Sequence, residues 1–492
     1  MKLIDFAINN TNKFIENIPK EQRKTYGQFF TSKETAIFMS EMFDFYPDLS
    51  KISILDPGAG SGILSIALIE RLVTRTSIKE IKLTCYETDL TVSKVLEENL
   101  EKIRNNLNIK FDYKIINQNY ILSQADAYLQ NTPGNSQYDI IIANPPYKKI
   151  GKNAPEALAM PDVCFGTPNL YFLFAAMSLF NLKKSGEMVF IIPRSWTSGA
   201  YFKAFRRKLL NLGVIEQIHL FVSRDKVFDQ ENVLQETMII KIRKSNIAPA
   251  KICITSSNSN KDFSELTEFN IDYSTVVSGK DSYIYLITNQ KEAETLETLK
   301  NWKDTLPSLG LKMKTGLTVD FRNRELLRNS ENTETVPLFY SQHIKGGKII
   351  FPIGKTNEYI LKKSNALLQE NKNYLFVKRF TSKEEHRRLQ CGIYLAQKFA
   401  NYSQISTQNK INFITGKRDL SECTVFGLYV IFNSSLYDNY YRVLNGSTQV
   451  NSTEVNNMPI PPLEIIESMG RDLIRTHDLS EKSCDTILGR YL

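Results

Sequence analysis

Over the first half of the chain, short apolar runs alternate with stretches in which apolar residues recur every three or four positions. Ile52, Ile54 and Leu55 form one such run, Ile81–Tyr86 a second and Tyr138–Ile142 a third. Each has strand length and is rich in branched residues. Ile63, Leu64, Ala67, Leu68 and Leu72 instead share one face of a helix. Strands alternating with amphipathic helices over residues 1–245 predict an α/β fold, a doubly wound and mainly parallel sheet covered on both faces. The polar stretch Ser256–Lys261 reads as a loop soon afterwards. Beyond about residue 300 the texture changes to strand-like, turn-rich segments such as Lys314–Thr318 and Lys345–Pro352, and long helical periodicity is scarce. Leu428–Tyr441 predicts a helix, and Met458-Pro459-Ile460-Pro461-Pro462 a rigid exit. The expected organisation is a catalytic domain over 1–245, a connecting region over 246–300 and a mixed α+β domain over 301–492.

The first strand runs directly into Asp56-Pro57-Gly58-Ala59-Gly60-Ser61-Gly62, and a helix follows. Glycines at this place permit positive φ and close approach of backbone to a ligand. The helix N-terminus adds unpaired N–H groups that suit a carboxylate. The second strand ends at Glu87, 25 positions past Gly62, where an acid can hold two ribose hydroxyls. A glycine loop alone fits several nucleotides. The pattern Gly58-x-Gly60-x-Gly62 lacks the dinucleotide spacing, and no second mononucleotide half is evident, which favours a ligand with a single nucleoside.

After the third apolar run comes Asn144-Pro145-Pro146-Tyr147. As bare punctuation it is an ordinary turn after a strand. As chemistry it suits methylation of a planar amino nitrogen, whose lone pair is delocalised into its ring. Acceptors on both N–H groups, the Asn144 side-chain oxygen and the Pro145 carbonyl, draw that nitrogen toward a tetrahedral geometry. Proline supplies no competing N–H, and the Tyr147 ring can stack on a base taken out of a duplex.

With both halves in view, the chain resembles the gamma-class S-adenosylmethionine-dependent DNA adenine-N6 methyltransferases of Type II restriction–modification systems, over roughly residues 20–245. Gly27-Gln28-Phe29-Phe30-Thr31 is similar to the family's amino-terminal motif, and the glycine loop and the Asn-Pro-Pro-Tyr turn follow in the family's order. Asn169–Phe174 looks like the helix after the catalytic loop, and Gly186–Pro193 like the next strand. Val227-Phe228 followed by Met238-Ile239-Ile240 looks like the segment whose ring sandwiches the flipped base. The resemblance implies a class I methyltransferase fold with S-adenosyl-L-methionine as cofactor. It places Gly27, Gln28, Phe29, Thr31, Asp56, Gly58, Gly60, Gly62, Glu87 and Asn144 around the cofactor, and Asn144, Pro145, Tyr147 and Phe228 on the base. Where the family carries an acid and then an aromatic for the cofactor's adenine, this chain has Asn119-Tyr120; the amide can still accept and donate, and Asp126 competes for the position. Cytosine N4 is a chemically close target, but the placement of Gly27–Thr31 and the asparagine form of the motif favour adenine.

Composition narrows the remaining choices. The chain has 492 residues and 42% hydrophobic content, enough for two or more domains. No stretch reaches the ~20 apolar residues of a membrane span, and Met1–Glu16 has a polar, helical pattern unlike a signal peptide, so a cytoplasmic location is expected. Six cysteines without a C-x-x-C pair and four histidines without ligand spacing predict neither a metal site nor a disulfide framework. Net charge is +9 and the isoelectric point near 8.9, which suits a polyanion. Val377–Arg388 carries five basic residues against two acidic ones. Lys378, Arg379, Lys383, Arg387 and Arg388 are thereby candidates for phosphate and base contacts; a solvated charged face is the plainer alternative.

Segments of the second half are similar to target-recognition regions of Type II methyltransferases: Thr315-Gly316 with Asp320-Phe321-Arg322, Pro337–Gly347, Lys378–Leu389 and Thr448–Pro462. The resemblance thus implies site-specific methylation of adenine N6 in double-stranded DNA by a monomer, protecting DNA from a separately encoded restriction endonuclease. Two alternatives share the chemistry: a methyltransferase of RNA bases or protein glutamine, which is usually much shorter, and a modification subunit dependent on a separate specificity subunit. A catalytically silent binding module fits poorly with an intact Asn144, Tyr147 and glycine loop.

Overall fold

The computed structural model describes residues 3–17, 19, 31–45, 47–132, 137–221, 237–259, 263–278, 282–363, 365–382, 385–444 and 448–492. The chain divides into two compact units, Met1–Asn289 and Gln290–Leu492.

The first unit is built on a nine-stranded sheet. Its strands are β1 (Lys51–Asp56), β2 (Glu80–Tyr86), β3 (Lys110–Ile116), β4 (Tyr138–Ala143), β5 (Leu182–Pro193), β6 (Val214–Phe221), β7 (Thr237–Arg243), β8 (Lys251–Ser257) and β9 (Thr267–Asp272). They lie in the order β3-β2-β1-β4-β5-β7-β6-β8-β9. The neighbours from β3 to β5 are all parallel, whereas β7 runs antiparallel to both β5 and β6. Ile140, Ile141, Ile142 and Ala143 of β4 are all buried, as expected of a strand covered on both faces. Crossovers run through the helices Ile63–Arg75, Leu90–Arg104, Leu170–Asn181 and Lys203–Leu212. Asp89 starts the second of these, its carboxylate accepting from the Thr91 and Val92 N–H groups at 2.8 and 3.3 Å. Asn169 starts the third, which is buried from Tyr171 to Asn181. The expected α/β doubly wound, mainly parallel architecture is therefore observed. From β1 the chain moves outward to β2 and from β4 outward to β5, so strand order reverses between β1 and β4. In such sheets the crevice at that reversal, at the carboxyl ends of the strands, is where ligands lie.

Several expectations need correction. The expected connecting region over 246–300 contains β8 and β9, which extend the first sheet, and the units part after Asn289. Ser256 and Ser257, expected in a loop, belong to β8. The stretch looks polar because Thr255 and Ser257 place their hydroxyls 2.9 and 3.1 Å from the two ring nitrogens of buried His219.

The second unit combines a six-stranded and a five-stranded sheet with helices, an α+β arrangement. The helix expected over Leu428–Tyr441 is two helices, Glu422–Phe432 and Ser435–Leu444. At the break, Asp485 accepts from the Ser435 N–H, and the Ser435 hydroxyl lies 2.6 Å from the carboxylates of both Asp485 and Glu481. Met458–Pro462 leads into a 14-residue helix, Leu463–Thr476, with Pro462 at its N-cap. That helix buries Ile466, Met469 and Leu473, so helical periodicity is less scarce here than expected. Among the described residues, no helix is long and apolar enough to cross a membrane.

Candidate active site

The glycine loop closes the end of β1. Gly60 and Gly62 have φ of 54° and 86°, in the left-handed region that glycine enters without strain. At Gly62 space matters too, since a Cβ there would meet Leu96 Cδ1 at 2.6 Å, and its absence lets Ile63–Arg75 lie close against Leu90–Arg104. Asp56 is fully buried beneath the loop and accepts from the Ser65 hydroxyl at 2.7 Å. Burial pushes its pKa up to about 7, against the opposing pull of the Ser65 hydroxyl and the Gly58 amide. Asp56 therefore braces the loop from below. Glu87, at the end of β2, is only half-buried; its carboxylate accepts from Gly60 N–H at 3.0 Å and Asp89 N–H at 2.8 Å. Burial holds its pKa above the ordinary carboxylate range.

The Asn-Pro-Pro-Tyr turn leaves the neighbouring strand β4. The Asn144 amide group donates to Thr31 Oγ1 at 3.2 Å, and its Oδ1 lies 2.9 Å from the Tyr147 hydroxyl. The same hydroxyl lies 3.0 Å from the Ile191 carbonyl of β5. A phenol has one proton, so it faces two acceptors with a single donor. Burial, and then Tyr171, push the Tyr147 pKa well above its usual value, keeping it a neutral donor. Its ring stands edge-on to Tyr171, with centroids 6.3 Å apart. The two motifs meet. A Cβ built on Gly58 would lie 3.9 Å from the Asn144 carbonyl oxygen, 4.0 Å from Pro145 Cα and 3.7 Å from the Phe174 ring.

The structure thus brings Thr31, Asp56, Gly58, Gly60, Gly62, Glu87, Asn144, Pro145 and Tyr147 to one crevice. Gly27, Gln28, Phe29 and Phe228 lie outside the described residues, as does Lys383. Asn119 is the N-cap of the short helix Tyr120–Ser123. Its Oδ1 accepts from the Ile121 and Leu122 N–H groups, and its amide donates to Glu156 at 2.8 Å. Tyr120 is buried between Tyr86 and Phe174 and receives the Asn181 amide on its hydroxyl at 3.0 Å, so it offers a ring wall and no exposed polar group. Asp126 is exposed on the next short helix. Sequence reasoning missed Ser65, the Ile191 carbonyl and Phe174. Nothing in the chain distinguishes a serine or a strand carbonyl that supports a site from any other.

The crevice suits a single nucleoside carrying a charged amino-acid tail. Glu87 can accept from ribose hydroxyls, and at Gly60 a Cβ would meet open space, leaving the loop backbone open to a ligand. Metal chemistry has weaker support. Asp44, Glu187 and Glu216 come within reach of one ion, but Lys241 and Arg243 already pair with all three.

In the second unit the basic segment divides. Arg388 is fully buried: its Nε donates to Thr381 Oγ1 at 3.2 Å and its guanidinium lies 5.7 Å from the Tyr441 ring centre. Arg387 is mostly covered, paired with Glu481 at 3.0 Å and donating to the Phe432 and Ser434 carbonyls. These two sequence-predicted DNA contacts brace the helices of the unit; Arg388 is enclosed, and Arg387 shows only an edge to a surface hollow shared with Lys378 and Gln390. Lys378 and Arg379 are half-exposed at the end of one sheet. Lys378 donates to Gln390 at 2.8 Å, and Arg379 to the Asn409 carbonyl at 3.1 Å. The Thr318 loop reaches the same end, since Asn409 N–H donates to the Thr318 carbonyl at 2.8 Å. Exposed Phe321, Arg322, Phe380 and Lys410 surround it.

Residues 66–228 match the Eco57I restriction-modification methylase family. Over 490 residues the chain is 33% identical to the Type II methyltransferase M.BsuBI of Bacillus subtilis, covering 96% of this chain and 94% of that one. It is 32% identical over 484 residues to the Type II methyltransferase M.PstI of Providencia stuartii, covering 96% and 93%. Among solved structures, the Type IIL restriction-modification enzyme MmeI in complex with DNA is similar with a TM-score of 0.52 at 12% identity, over 97% of this chain and 74% of that chain; at such identity the likeness concerns the fold alone.

Proposed function

Because the chain belongs to the Type II methyltransferases of restriction–modification systems, enzymes that methylate DNA at specific sites, we propose that its target is N6 of an adenine extruded from double-stranded DNA. Its methyl donor is S-adenosylmethionine. When bound, that cofactor supplies an already activated sulfonium methyl, so the protein's share of the work is alignment and acceptor placement. Glu87 would accept from the ribose hydroxyls, and the loop Gly58–Gly62 would hold the amino-acid tail. Asn144 Oδ1 and the Pro145 carbonyl accept hydrogen bonds from the two N6–H groups, localising the lone pair on the nitrogen for transfer. Tyr147 stacks on the base, with Phe228 on its other face. The surplus proton leaves N6 to water after transfer.

Extruding the adenine costs on the order of a few kcal/mol, and stacking returns ~1–3 kcal/mol per aromatic contact. The second unit, with Lys378, Arg379 and the loops at that end of its sheet, reads the target. Methylation then protects the DNA from a separately encoded endonuclease, and the enzyme works as a cytoplasmic monomer.

The observation that carries this reading is the meeting of the two motifs: Gly58 packs against Asn144 and Pro145 at the strand-order reversal. Incubating the purified protein with methyl-labelled cofactor and plasmid DNA, then mapping modified bases by single-molecule sequencing, tests it. Wild-type protein is expected to mark adenine at one short sequence. Asn144→Ala is expected to lower the rate by about a thousandfold while cofactor and DNA affinities stay within a few fold. Modification of cytosine, or an Asn144→Ala variant that still methylates, overturns the proposal.

A further inference from the structure

Beside the catalytic turn stand two large aromatic side chains in open water. Phe165 is 61% exposed and Tyr201 63%. Their places are fixed relative to Tyr147 by backbone and by rings. Lys149, two residues past Tyr147, bridges to Asn169; Ile150 N–H donates to the Pro168 carbonyl at 2.9 Å and Leu170 N–H to the Lys148 carbonyl at 2.9 Å. The segment leading from Phe165 is thereby laid against the continuation of the catalytic turn. Tyr201 precedes Phe202, whose ring lies 6.2 Å from Tyr171, the ring that abuts Tyr147.

Gly166 joins the two aromatics into one patch. Its φ is 82°, and a Cβ there would sit 2.2 Å from Tyr201 Cδ1. The Tyr201 ring therefore lies directly on the backbone next to Phe165, where any side chain at 166 would displace it. The surroundings are mainly cationic, although Glu156 and exposed Asp162 lie in the same segment and Asp162 pairs with Lys208 at 2.8 Å. Lys148, Lys149 and Lys152 are exposed. Residues 194–212 hold no aspartate or glutamate and five arginines and lysines, of which Arg206 is buried on the Trp196 and Gly199 carbonyls. Exposed rings beside an excess of cations suit a partner that offers stacked bases between phosphates.

We propose that Phe165 and Tyr201 form an aromatic rim that bears on the base stack next to the extruded adenine and stabilises the opened duplex, with the neighbouring lysines on the phosphates. This rests on the proposed reading of the site as one acting on an extruded adenine. The rim stays outside the crevice that holds the cofactor and N6. Its effect falls on opening the duplex, and methyl transfer to a base already free is independent of it.

The test uses the full chain and two synthetic duplexes bearing the methylated sequence mapped from plasmid DNA. One pairs the target adenine with thymine; the other places an abasic site opposite it, so that the adenine is already unpaired. The double variant Phe165→Ser with Tyr201→Ser is expected to methylate the paired duplex about tenfold or more slowly than wild type, and to recover most of that loss on the abasic duplex. Tyr201→Phe keeps the ring and is expected to match wild type on both. A double variant as fast as wild type on the paired duplex overturns the inference, and so does equal loss on both duplexes, while leaving adenine methylation itself intact. Failure of the wild-type protein to mark any adenine overturns both readings together, which separates the two.

Discussion

The crevice of the first unit and the basic segment of the second carry equally suggestive residues, yet only one of them is assembled as its residue types suggest. In the crevice, every described member of the two motifs converges, because they end the neighbouring strands β1 and β4, with Glu87 at the end of β2 beside them. In the basic segment, arginines of one short stretch part ways: Arg379 lies half-exposed at a sheet end, while Arg388 is enclosed over Tyr441. Reaction geometry constrains which residue types stand at which spacing. Phosphate binding asks only for positive charge, and a guanidinium can equally serve as a buried brace.

That contrast can be broken most sharply at Arg388. Arg388→Ala removes a buried, bonded cation and is expected to destabilise the second unit by about 3–5 kcal/mol, read as a lowered unfolding temperature in calorimetry. A variant with unchanged stability but weakened DNA binding would restore Arg388 to the DNA surface and dissolve the contrast.

The next largest effect concerns Asp56. Its folded pKa is raised to about 7, so the unfolded chain ionises first as pH rises. Its contribution to stability is fully present at acid pH below about 4 and is lost as pH climbs toward the folded value, a change of a few kcal/mol. Cofactor-free protein should therefore lose stability between about pH 4 and about 7 by this term, and Asp56→Asn should flatten the profile. An unaltered slope in that variant would show that the brace is not the titrating group.

Tyr147→Phe keeps the ring and deletes the hydroxyl that faces Asn144 and Ile191. Its kcat is expected to fall about tenfold with DNA affinity nearly unchanged, the size of one lost hydrogen bond to a positioned group. Smallest is Arg379→Ala: DNA affinity should weaken severalfold, and the slope of log affinity against log salt should shrink by about 1. A steeper dependence on Arg379 than on Asn144 would mean that the recognition face, not the crevice, limits turnover.

Much of the first unit was legible because its signals are local. Apolar runs of strand length, Asn169 before a helix, and glycines at 60 and 62 where φ is positive all follow from neighbours in sequence. Less visible was whatever depends on distant partners. The burial of Arg388 is set by Tyr441 and Asp438, and Asp485 meets Ser435 at the break after Phe432. The β8 strand hides behind serine and threonine because its hydroxyls bond His219. Phe165 and Tyr201 carry no pattern at all; only the fold sets them beside the catalytic turn. Asn119 shows a third case, since its oxygen, expected to meet the cofactor, caps a helix instead.

The single proton of Tyr147, poised between a strand carbonyl and an amide, lets the crevice stay satisfied whether vacant or filled. Without substrate, the phenol can spend its hydrogen on Asn144. On the proposed reading, an amino group at that oxygen leaves the phenol to turn to Ile191, whose carbonyl lies 3.0 Å away. Occupancy is thus answered by rotating one O–H bond, with no heavy atom obliged to move.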